Sequence, residues 1–157
     1  MDKWDVRFME MARLVSTWTS CHTEGRAIGA VIVKDKRVMT TGYNGAPAGL
    51  QTCKEKGECL RRKLGVQSGT RAEVCFAIHA EQNAIIQAAK LGISIDGATL
   101  YCTHQPCSVC TRMIINASIR RVVYENGYPD DFSLDLFRQA GIPLEKFDPE
   151  TGGTIPC

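Results

Sequence analysis

The chain has 157 residues, 44% of them apolar and 23% charged, with a formal net charge of only +2. That is the length of one domain able to bury its own core, with the balance of a soluble globular protein. Its basic residues are scattered, with Arg61-Arg62-Lys63 and Arg120-Arg121 as local groups, so no nucleic-acid footprint is expected.

A small anionic substrate needs only one or two of those cations. No run of 18 apolar residues marks a membrane span, and Met1-Asp2-Lys3-Trp4 opens no secretory h-region. A cytoplasmic location is therefore expected. In a reducing compartment the eight cysteines read as metal ligands before disulfides.

Trp4, Phe8, Met11, Val15 and Trp18 recur at three- and four-residue steps and predict a first amphipathic helix. Ala27 to Val33 and Arg37 to Thr41, separated by Lys34-Asp35-Lys36, predict a hairpin. Residues 46 to 76 are glycine-rich and charged and contain Cys53, Cys59 and Cys75. A loop that long in a compact domain is functional or tied down. A second helix is expected from about Ile78 to Leu91, ended by Gly92, and a third strand over Thr99 to Thr103. Pro106 opens a third helix to about Asn116, followed by a strand over Arg121 to Tyr124. A short helix over Leu134 to Ala140 and a fifth strand over Pro143 to Phe147 follow, then a mobile tail from about residue 148. Strands alternating with helices after a hairpin predict an α/β fold, a sheet with helices on both faces.

His79-Ala80-Glu81 and Pro106-Cys107-Ser108-Val109-Cys110 carry the chemistry. His79, Cys107 and Cys110 offer three ligands for a tetrahedral zinc and leave one position for water. Both halves fall at predicted helix starts, where the helix dipole favours the thiolates that zinc requires. Glu81, two residues from the histidine, is placed to move that water's protons. The same cysteine spacing serves structural zinc with four protein ligands, or a redox pair. The adjoining Glu81 and the proline before Cys107 argue against both. Together these residues spell the H-x-E…P-C-x-x-C signature of the zinc deaminases.

On these residues the chain resembles the cytidine and deoxycytidylate deaminase superfamily, and within it the deoxycytidylate (dCMP) deaminases. Further carriers are Arg26 to Val33, Gly42-Tyr43-Asn44-Gly45-Ala46-Pro47, His79 to Ile85 and Tyr101 to Cys110. The Gly-Tyr-Asn-Gly segment separates it from the tRNA adenosine deaminases. The resemblance implies a three-layer α-β-α sandwich on a mixed five-stranded sheet. It implies conversion of dCMP to dUMP and ammonia, with Glu81 as proton carrier. Asn44 would bond the sugar, although a turn asparagine is the plainer role. Arg26 would sit near the phosphate, with a solvated strand-edge arginine as the alternative. Tyr128 would also approach the phosphate, and the backbone at Ala80 and Pro106 would line the base pocket. His104 reads as a pocket-rim residue and not as a ligand.

Cys21, Cys53, Cys59 and Cys75 lie outside the motif. Some family members carry a second, structural zinc in this region, and four thiolates would close such a site. Small buried thiols are the alternative. Cys102 is expected to pack in the core. The resemblance further implies a homohexamer, activated by dCTP with Mg2+ and inhibited by dTTP, with the Gly42, Tyr43, Asn44, Gly45 loop at the allosteric site. The rival readings are a deaminase of dCTP, cytosine, guanine or tRNA adenosine, and a non-catalytic nucleotide-binding regulator.

Overall fold

The computed structural model describes residues 2–67, 70–127 and 130–157. In chain order the elements are α1 (Lys3–Ser16), β1 (Gly29–Lys34), β2 (Arg37–Tyr43), α2 (Cys53–Lys56), α3 (Leu60–Lys63), a 3-10 turn (Ala72–Val74) and α4 (Ala80–Leu91). Then come β3 (Thr99–His104), α5 (Ser108–Asn116), β4 (Arg121–Asn126), α6 (Asp131–Ala140), β5 (Leu144–Phe147) and β6 (Thr154–Pro156).

The sheet order is β2-β1-β3-β4-β5-β6. β1 is antiparallel to both β2 and β3, β3, β4 and β5 run parallel, and β6 is antiparallel to β5. The hairpin turns at Asp35 and Lys36, both with positive φ (51° and 60°), as a tight turn between twisted strands requires. Alternation along the strands makes two cores. Val31, Val33, Tyr101, Val123 and Phe147 face α1, whereas Ala30, Ile32, Leu100, Cys102, Val122 and Tyr124 face the side of α4, α5 and α6.

The three-layer sandwich holds, with a sixth strand added to the expected five. The tail from residue 148 turns back on Asp148, whose carboxylate accepts from Glu150 N and Thr151 Oγ1, and so delivers β6 to the edge of β5. The proline and glycines that suggested a loose end form that turn.

The buried stripe of α1 also differs from the expected one. It runs Asp5, Phe8, Met9, Ala12 and Val15, leaving Met11 and Trp18 exposed. A charged residue lies on it because Asp5 is paired. Its carboxylate accepts from Tyr101 Oη (2.6 Å) and from Arg121 (2.8 and 3.0 Å), and Arg121 also bonds Glu145. Burial pushes the Asp5 carboxyl up, but these bonds outweigh it and hold it below its usual range.

The long segment after β2 is not structureless. Gly45 and Ile78 exchange backbone hydrogen bonds (3.2 and 2.7 Å) and close its base. Thr52 and Glu55 cap α2 reciprocally, and Lys56 Nζ lies 3.4 Å from the centre of the Phe76 ring. No helix among the described residues is long and apolar enough to cross a membrane.

Candidate metal centre

The N-termini of α4 and α5 converge beside the carboxyl end of β3. His79 is the N-cap of α4, with its backbone N–H bonded to the Gln82 side chain (2.9 Å). Cys107 is the N-cap of α5, and Cys110 lies in its first turn. Nδ1 of His79 is 3.5 Å from Sγ of Cys107 and 3.3 Å from Sγ of Cys110. All three donor atoms lie within 4.8 Å of one another, the one such cluster among the described residues.

The fit to zinc follows from bond lengths. Tetrahedral bonds of about 2.0 Å to nitrogen and about 2.3 Å to sulfur set N and S roughly 3.5 Å apart. The observed separations match without rearrangement. Electrostatics favour the same outcome. The bond from the Cys110 thiol pulls the Cys107 thiol well below its usual range, which favours the thiolate that a metal requires. That bond and burial push the Cys110 thiol up. The hydrogen bond with Cys107 raises His79 against the opposing effect of burial.

Residues 2–126 match the model for the cytidine and deoxycytidylate deaminase zinc-binding region. The chain belongs to the cytidine and deoxycytidylate deaminase family. It is 41% identical over 126 residues to deoxycytidylate deaminase of Mycobacterium phage D29, covering 77% of this chain and 93% of that protein. It is 37% identical over 147 residues to deoxycytidylate deaminase of Schizosaccharomyces pombe, covering 93% of this chain. The chain spans 44% of that yeast protein's length. The crystal structure of dCMP deaminase from cyanophage S-TIM5 in complex with dCMP and dUMP superposes with a TM-score of 0.76 at 33% identity, covering 93% of this chain and 98% of that one.

In this family member Glu81 occupies the first turn of α4, buried to 4% exposure. Its Oε1 lies 2.8 Å from Sγ of Cys102, a core residue whose contact with the site sequence patterning does not reveal. Ala80 and Pro106 are fully buried beside the cluster's helix starts. His104 is half-buried, with Nδ1 3.0 Å from Thr103 Oγ1. Burial lowers its pKa, Glu81 and Glu125 oppose this, and Arg26 adds to it. Arg26 and Glu81 thus both act electrostatically on this one ring.

Asn44 is buried and committed to the chain itself. Its Oδ1 accepts from Ile28 N (2.9 Å) and its Nδ2 donates to the Arg26 carbonyl (2.5 Å). Each end of the amide keeps one further hydrogen-bonding position. Gly42 packs on α4, and the Tyr43 carbonyl accepts from Asn83 Nδ2 (2.8 Å). Residues 42–45 therefore seat the helix that carries His79 and Glu81. Tyr128 lies outside the described residues.

Sequence reasoning missed three supports of the cysteine turn. Asp130 accepts from Ser108 N and Ser133 N (2.9 Å each) and so joins the starts of α5 and α6. Ser133 Oγ donates to the Pro106 carbonyl (2.8 Å) and pairs with Thr111 Oγ1 (2.7 Å). The signal was Asp130 itself, an N-cap residue before an amphipathic run. A fourth missed residue is Arg61 of α3. Its charge reaches His79, and its Nε is buried without a hydrogen-bond partner among the described residues, while its Nη2 donates to the Gln67 carbonyl (3.2 Å).

Proposed function

We propose that the chain is a zinc-dependent deaminase converting dCMP and water to dUMP and ammonia. The observation that carries this is the His79–Cys107–Cys110 cluster beside the buried carboxylate of Glu81, in a fold whose solved relative holds dCMP and dUMP. Zinc held by the three side chains supplies a water acidic enough to act as nucleophile near neutral pH.

The remaining work falls to the chain. Glu81 takes a proton from the water and gives it to ring N3, so that negative charge does not build on the ring as oxygen adds to C4. It then carries the second proton to the amino group, which leaves as ammonia. Burial of Glu81 keeps bulk water from competing for these protons.

The substrate's contacts are part of the proposal. The free hydrogen-bonding positions of Asn44 suit the sugar. Arg26 and Arg61 supply the cations for the phosphate, and the resemblance assigns Tyr128 to the same group. The backbone at Ala80 and Pro106 lines the base pocket.

A second, structural zinc at Cys21, Cys53, Cys59 and Cys75 is also proposed. Two observations support it. The Cys53 thiol is raised first by burial and then by the charges of Cys21, Cys75 and Cys59, which are felt at Cys53 although the four sulfurs do not meet as a ligand cluster the way His79, Cys107 and Cys110 do. The Cys59 sulfur accepts backbone N–H bonds from Arg62 and Arg61. Metal analysis returning one zinc per chain would remove this second site. The resemblance also implies a hexamer under dCTP (with Mg2+) and dTTP control, which sedimentation and effector titration check.

The proposal is tested by ammonia release from dCMP with zinc-loaded protein and with its Glu81→Gln variant. Turnover that disappears in the variant while zinc is retained supports it. Equal turnover in both removes Glu81 from the mechanism.

A further inference from the structure

Cys102 sits in the middle of β3, fully buried, on the sheet face that packs against α4. Its Sγ is 2.8 Å from Oε1 of Glu81. A carboxylate with 4% exposure has given up most of its water, and each of its oxygens then depends on donors within the protein. Two thiols reach Glu81, those of Cys102 and Cys110. A sulfur that holds a metal is a thiolate and donates nothing. Cys110 belongs to the three-donor cluster and Cys102 does not. With metal in place, Cys102 is the thiol that still has a proton to share.

We propose that Cys102 is a positioning residue for the reaction, its thiol holding Oε1 of Glu81 so that the carboxylate keeps one rotamer while it carries protons. This rests on the reading of Glu81 as the proton carrier. A carboxylate on a flexible side chain reaches both the attacking water and the ring nitrogen only from a narrow set of rotamers. An anchored oxygen selects that set in advance. The contact also gives position 102 a requirement that core packing does not make. Valine fills the same space but leaves Oε1 without its donor, whereas serine retains one.

The test compares Cys102→Val and Cys102→Ser with the parent chain, all zinc-loaded. Expected for valine is a kcat lower by about 10- to 100-fold, the range for one hydrogen bond to a charged group. KM and zinc per chain should stay close to the parent's, and the variant should remain folded at the assay temperature. Serine should recover most of kcat. A valine variant with parental kcat overturns the proposal, as does a serine variant no better than valine, or a kcat loss that follows zinc loss.

If the parent acts on another aminopyrimidine and not on dCMP, the same ratios are read on that substrate. The substrate reading then fails while this proposal is still judged. Should no substrate turn over, Raman spectroscopy decides. The S–H stretch lost in Cys102→Val should lie at the low frequency of a strongly bonded thiol and move up in Glu81→Gln. A band unmoved by Glu81→Gln overturns the contact.

Discussion

Gly42 and Ala80 meet backbone to backbone: a Cβ on Gly42 would lie 2.2 Å from the Ala80 carbonyl oxygen and 2.5 Å from Ala84 N. Neither neighbour is a flexible side chain, so nothing can swing aside. Strand β2 thereby sets how closely α4 approaches the sheet, and α4 carries Glu81 with His79 at its cap. Gly42→Ala should cost about 1–3 kcal/mol, the usual range for overpacking a tight core. It should also lower kcat by more than stability explains, since a displacement of about 1 Å in a catalytic group costs on the order of 100-fold. Chemical denaturation and steady-state rates on the same samples check both effects. A stable, fully active variant would contradict the role given to this contact.

The metal cluster makes its own prediction. Replacing Cys107 or Cys110 with serine leaves two of the three clustered donors. The loss in zinc affinity should exceed the roughly 10- to 100-fold that outer hydrogen-bonding partners cost. Asp130 is such a partner, because it holds Ser108 N at the start of α5, and Asp130→Ala should fall within that smaller range. Competition with a chelator of known affinity ranks the three variants.

Asp5 and Arg121 should dominate acid sensitivity on the other face of the sheet. Asp5 is buried and its carboxyl is held below the usual range in the folded state. A depressed carboxylate contributes stability that is fully present above its unfolded pKa of about 3.9 and is lost as pH falls through the folded value. Asp5→Asn should therefore cost about 3 kcal/mol at pH 7, because it leaves the Arg121 charge partly buried with only Glu145 to answer it. The gap between parent and variant should close as pH drops below about 4. Urea melts at several pH values measure this.

If Arg26 and Arg61 meet the phosphate, each arginine→alanine change should raise KM for dCMP by about 10-fold or more, as loss of a charge-assisted bond does. Turnover of deoxycytidine, which has no phosphate, should be unaffected. An equal loss on both substrates would assign Arg61 to folding of the segment between β2 and α4, and Arg26 to holding the approach to β1.

Much of this was legible in the sequence, and the reasons differ by element. His79, Glu81, Cys107 and Cys110 sit in two short motifs, each at the start of a helix that the pattern predicts, the second opened by Pro106. The structure brings the three donors together where that reading required. The strands were legible because Val, Ile and aromatic residues concentrate there. The sixth strand was not, because Pro149, Gly152 and Gly153 look alike in a loose tail and in the turn that returns the chain to β5. The α1 stripe was displaced because periodicity cannot see that Asp5 has a partner more than a hundred residues away. The Cys102–Glu81 contact was hidden for the same reason, since register between a strand and the helix above it is not a local property of either.

The most direct measurement is ammonia release by zinc-loaded protein offered dCMP, deoxycytidine, dCTP, cytosine and guanine separately. The account predicts release from dCMP well above the others and none when Glu81 is glutamine. Release from cytosine or deoxycytidine with none from dCMP, or undiminished release by the Glu81→Gln variant, would contradict it.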